Sequence, residues 1–121
     1  MKTYYLVYSY PVEGMEAAYN QWYSNVHLKE VLQIEGFNSA KRFELTPTQL
    51  VEEQEYKYLA MYEIDSDDVE GTKQRLIEAA SWLEMSPALD LKLHVSIYKS
   101  ITYRKKIVGA WKRLSTPFDH T

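Results

Sequence analysis

The chain has 121 residues, 45% of them hydrophobic and 26% charged, which is the size and balance of one globular domain and not of a disordered or fibrous chain. It contains no cysteine, which excludes a disulfide framework, a thiolate nucleophile and any cysteine-held metal or cluster. The net charge of −3 is unevenly placed: residues 1–102 carry 9 Lys/Arg against 16 Asp/Glu and residues 103–121 carry 5 against 1, so the body is acidic, which speaks against a nucleic-acid surface.

The first strand is expected over residues 3–10, "TYYLVYSY", where aromatic and β-branched residues run without a breaker until Pro11, as suits a strand buried on both faces. A helix follows from about Gly14, with Met15, Ala18, Trp22 and Val26 on one stripe. Its period fails after His27, because Val31, Leu32 and Ile34 would point to three different sides, and residues 28–35 read as an irregular connection packed on the core. Gly36 opens a second strand, "FNSAKRFEL", with Phe37, Ser39, Lys41, Phe43 and Leu45 on one face. After a polar loop, "YKYLAMYEI" (56–64) is the third strand, and "DSDD" supplies Asp67 or Asp68 as the cap of a second helix running to about Trp82. The fourth strand is "LHVSIYKSIT" (93–102).

The order βαββαβ most economically gives an α+β, ferredoxin-like fold, a four-stranded antiparallel sheet with both helices on one face. The first and third strands are apolar on both sides, yet two helices cover only one. The bare side is an exposed apolar patch whose natural solution is a homodimer, sheet against sheet. The short stripe Ile107, Trp111 and Leu114 in the basic tail "YRKKIVGAWKRL" is expected to pack on the acidic body or on the partner subunit. No apolar run nears the roughly 18–20 residues that span a bilayer, and the start "MKTYYLVYSYPVEG" shows no cleavage site, so a cytoplasmic protein without a membrane partner is expected.

Trp22, Tyr23 and His27, then Gly36 and Phe37, Arg42 and Phe43, and "YLAMYEID" at 58–65 together resemble the EthD-like branch of the dimeric α+β barrel superfamily, over roughly residues 4–101. The resemblance implies that residues 1–102 form the dimeric α+β barrel domain, with 103–121 as the tail, and that a cavity between sheet and helices holds a small hydrophobic or aromatic ligand. It implies chemistry among decarboxylases, dehydratases, cyclases, isomerases and monooxygenases, some members having no known activity. Where many relatives carry "H-x-P" and "P-G", this chain has Lys29 and Glu35, so the connection after the first helix lacks stiffening prolines.

Tyr19, Tyr23 and His27 form an i, i+4, i+8 ladder on the border of the core stripe. An imidazole there, with an ordinary pKa of about 6.5, suits a general acid or base; the alternative is that His27 merely caps a helix end. Eleven tyrosines, six within the first 23 residues, offer phenols to orient a carbonyl or phenol. His27 and Tyr23 are therefore the expected catalytic residues, with Trp22, Tyr19, Tyr5, Tyr8, Tyr62 and His94 as the substrate-binding set. Arg42 and Glu63 are expected to be paired, either on the barrel interior or with the partner chain. The histidines show no ligand spacing and the glycines form no phosphate loop, so neither metal nor cofactor is expected. The function expected is a cofactor-independent lyase, isomerase or cyclase using His27 for proton transfer. The alternatives are a non-catalytic binding or accessory protein, or a monooxygenase, cofactor-free or haem-dependent with His27 as axial ligand.

Overall fold

The structure, a computed structural model, describes residues 2–107. In chain order it consists of β1 (Thr3–Ser9), α1 (Glu16–Trp22), a π-helical turn (Tyr23–His27), α2 (Leu28–Val31), β2 (Phe37–Glu44), β3 (Tyr58–Ile64), α3 (Val69–Glu78) with a closing 3₁₀ turn (Ala79–Ser81), and β4 (His94–Lys99). The strands form one antiparallel sheet in the order β2-β3-β1-β4, which is the ferredoxin-like βαββαβ arrangement expected from the order of elements. Trp111, Leu114 and His120, and with them the expected docking of the tail, lie outside the described residues.

Strand alternation assigns the two faces. Directly paired residues of an antiparallel ladder share a side, and β1 pairs Tyr5 with Tyr62, Val7 with Ala60 and Ser9 with Tyr58. These are the residues that meet the helices: Val7, Tyr58, Ala60, Tyr62 and Ile64 are buried together with Tyr19, Trp22, Tyr23 and Val31. The other side pairs Leu6 with Met61 and Tyr8 with Leu59, and extends over β2 through Lys41 and Phe43. No helix among the described residues covers it, and its residues are half-buried or exposed.

The first helical run departs from the expectation in an instructive way. It does not end near His27 but continues to Val31, because Leu28 N donates to Tyr23 O five residues back and the backbone takes up one extra residue. In unbroken steps of about 100° Val31 would stand about 180° from Trp22; absorbing one residue leaves about 80°. Val31 accordingly returns to the core, 1% exposed. The failed period was a shift of phase, not the end of the helix. The shift also revises the buried stripe: Tyr19, Trp22 and Tyr23 fill the core, whereas Ala18 is exposed.

A second correction concerns β2. A bulge between Phe37 and Ser39 breaks the alternation there, so Phe37 turns its ring toward Tyr5 and Tyr62 and not to the side of Lys41 and Phe43. Arg42 and Glu63 stand on opposite faces within the chain, because Arg42 pairs with Ala60 and Glu63 with Ser39. Arg42 donates to Ser24 Oγ (2.9 Å) and Asn20 Oδ1 (2.8 Å) on the first helical run and lies over the Tyr23 ring at 4.6 Å. Glu63 instead binds Asn38 and the Lys2 ammonium.

The second helix starts as its sequence dictates, with the Asp68 carboxylate accepting from Gly71 N at 2.8 Å. It docks close to the start of β2. Gly36 has φ +105°, and a Cβ there would sit 2.2 Å from Thr72 Oγ1. Only glycine meets both the backbone angle and the approach of α3.

Candidate functional site

Between the sheet and the helices lies a cavity of about 310 Å3. Tyr5 and Val7 of β1 form its floor, Trp22, Tyr23, His27 and Val31 one wall, and Leu76, Ala80, Leu83, Met85, Leu89 and Leu93 the other wall and lip. The lip is fastened to the first helical run by a double tie at one residue. Trp22 Nε1 donates to Glu84 O and Glu84 N donates to Glu30 Oε1, both at 2.8 Å.

His27 is held by aromatic packing on two sides. Its ring stacks on Trp22, centroids 4.7 Å apart at 27°, and meets Tyr23 edge-on at 5.2 Å and 88°. The π-helical turn is what brings these three residues together, since i and i+5 on an uninterrupted α-helix diverge by about 140°. Nδ1 of His27 is buried and has no hydrogen-bond partner among the described residues. Burial pushes the imidazole down to about 4, only partly opposed by the nearby Glu30 carboxylate. At neutral pH the ring is therefore uncharged, which revises the expectation of an ordinary value near 6.5.

The phenols around it are protonated donors. Burial pushes Tyr5, Tyr23 and Tyr62 above the ordinary tyrosine value. Tyr62 Oη is also buried without a partner; Tyr23 acts on it electrostatically, but the two phenols do not meet in hydrogen-bond geometry. Tyr19 Oη, by contrast, is committed to Ser9 Oγ at 2.6 Å.

Of the eight residues singled out from the sequence, four line one cavity: Tyr5, Trp22, Tyr23 and His27. Tyr19 and Tyr62 stand behind it, Tyr19 against the edge of Tyr23 (5.5 Å) and Tyr62 against Tyr5 (5.5 Å). Tyr8 and His94 do not share the cavity. They are paired neighbours on the open side of the sheet, with rings 5.7 Å apart, because even-numbered positions of β1 and β4 point away from the helices. Beside them lies a separate hollow of about 410 Å3, walled by Tyr8, Phe43, Tyr56 and the loop between β2 and β3. What sequence reasoning missed is the apolar far wall. Nothing marked Met85 and Leu89 as lip residues, because they lie in irregular chain with no period to betray their direction, and Leu93, expected to open the fourth strand, stands one residue before it.

No protein-family model matches the chain, and no curated protein sequence matches it closely. Among solved structures, the chain is similar to a protein of Shewanella loihica PV-4 provisionally described as a monooxygenase, with TM-score 0.53 and 17% identity over 84% of this chain and 96% of the other. It is also similar to an EthD family protein of Bacillus halodurans C-125, with TM-score 0.49 and 15% identity over 84% and 99%. The first likeness shows a shared fold.

Proposed function

We propose that this protein binds a small hydrophobic or aromatic molecule in the cavity beneath its helices and carries out cofactor-independent proton-transfer chemistry on it, as a lyase, isomerase or cyclase, with His27 as the proton-transfer residue and Tyr23 beside it. The observation that carries the reading is His27 itself, an imidazole with an unpartnered buried nitrogen set into an otherwise apolar chamber at a π-helical turn. Such turns occur mainly at functional sites, and a buried polar atom without a partner calls for a reason. Burial keeps this ring unprotonated throughout the neutral range, the form that accepts a proton, and a bound ligand that donates to Nδ1 or excludes water would have to raise its basicity from about 4 toward the working pH. Phenol donors at Tyr5 and Tyr23 would hold a developing enolate or phenolate.

Two copies would join through the open sheet face, burying Leu6, Met61, Leu59 and Phe43 against their counterparts. The cytoplasmic setting expected from the sequence belongs to the same proposal; no helix among the described residues is long and apolar enough to cross a membrane.

One observation favours a second reading, in which the cavity only sequesters or delivers its ligand for a catabolic pathway. No acceptor stands at His27 Nδ1 to orient the ring and stabilise an imidazolium, as the third member of a catalytic triad does. The same gap weighs against haem, since a metal-ligating histidine ordinarily donates its other ring N–H to a fixed acceptor. A monooxygenase reaction, the provisional description of the neighbour from Shewanella loihica, is a further alternative. Mass spectrometry of small molecules that co-purify with the protein identifies the ligand, and turnover of that compound by wild type and by His27→Asn tests the role. Loss of turnover with binding retained supports catalysis; unchanged turnover by a folded H27N protein overturns it.

A further inference from the structure

Among the described residues, the cavity's walls contain no Asp, Glu, Lys or Arg. Trp22 cannot serve a ligand through its indole N–H, which the Glu84 carbonyl already accepts. That leaves three polar groups on the walls, the phenols of Tyr5 and Tyr23 and the imidazole of His27, all uncharged at neutral pH. The two formal charges nearest by contact do not help an anion. Arg42 lies across the Tyr23 ring but is absent from the cavity walls, and spends its N–H groups on Ser24 and Asn20. Glu30, which acts on His27, is itself negative.

Resting on the reading of this chamber as a ligand site, we propose that it selects uncharged oxygenated ring compounds, phenols or cyclic ketones, and rejects carboxylates and phosphates. A hydroxyl or carbonyl oxygen can accept from the Tyr5 and Tyr23 phenols, and the ring system can fill the space between Trp22, Val31, Leu76 and Leu83. A carboxylate entering the same space leaves water for a site with no cation, and an unpaired charge in an apolar chamber is strongly disfavoured. The volume of about 310 Å3 stands at the lower end of ligand pockets, of order 300 Å3, and fits one or two fused rings.

The test is a matched pair, 2-naphthol and 2-naphthoate, titrated calorimetrically into the full-length protein at pH 7.5, where the first is neutral and the second ionised. Ala80→Trp, which plugs the chamber from an exposed position on its wall, locates the binding. The expected result is that 2-naphthol binds at least tenfold more tightly than 2-naphthoate and that A80W abolishes it. If 2-naphthoate binds as well or better, and A80W removes that binding, the selection for neutral ligands is overturned while the chamber stands as a ligand site. If neither compound binds at 1 mM, or A80W leaves binding unchanged, the chamber is not the site and both the selection and the reading beneath it fail.

Discussion

The indole of Trp22 and the imidazole of His27 lie nearly parallel with centroids 4.7 Å apart, five residues apart in a chain that an uninterrupted α-helix would carry about 140° around its axis. The stack therefore exists because the backbone between them is wound as a π-helix. It buries one side of the imidazole, which suppresses protonation.

That suppression sets a pH dependence whose sign is fixed. The folded value of about 4 lies below the ordinary 6.5, so the unfolded chain binds the extra proton first. The contribution is fully present above about pH 6.5 and is lost as pH falls toward 4, on the order of 2–3 kcal/mol in all. Denaturant unfolding of wild type and His27→Asn at pH 7.5, 6 and 5 should show wild type losing stability relative to the variant as pH falls. Parallel curves, or an NMR titration midpoint for His27 near 6.5, would overturn the assignment.

Two tyrosines offer opposite outcomes from one chemical change. Tyr19→Phe strands the buried Ser9 hydroxyl, which Tyr19 Oη satisfies at 2.6 Å, and should cost about 1–3 kcal/mol. Tyr62→Phe removes a hydroxyl that has no partner and should be neutral or stabilise by up to about 1 kcal/mol. Chemical denaturation of both variants checks the pair, and equal losses would contradict the hydrogen-bond assignment.

Gly36→Ala should destabilise by about 2 kcal/mol or more, since the added methyl meets Thr72 and the backbone angle disfavours any side chain. Gly14, also at positive φ but with open space around it, should tolerate alanine better, losing about 1 kcal/mol. Thermal unfolding of the two variants side by side separates angle from crowding.

Met61→Glu places a charge in the middle of the open sheet face, opposite Leu6 and Lys41, where little folded-state packing depends on it. If that face is the dimer surface, sedimentation should show a folded monomer in place of a dimer, with circular dichroism unchanged. A wild-type protein that is already monomeric at micromolar concentration would sink the proposal.

The topology was legible because each strand is bounded by its own turn chemistry, and "DSDD" declares the start of the second helix through the Asp68 cap. That His27, Trp22, Tyr23 and Tyr5 face one cavity was legible, because a helix border laid over a strand brings such residues together. Tyr8 and His94 were misplaced for want of a register: alternation says which residues share a side, but not which side the helices take. The Phe37 bulge and the π-helical turn were hidden for a common reason. Each adds one residue to an otherwise regular element, and a residue count carries no side-chain signature.

Removing one residue between Tyr23 and His27 would restore plain α-helical winding with Val31 eight residues from Trp22 and His27 four, so both would keep about the directions that the π-helical turn gives them now. Here arithmetic along the chain, more than the identity of a residue, aims the imidazole: the turn is the place where one codon can be gained or lost while everything beyond it keeps its bearing.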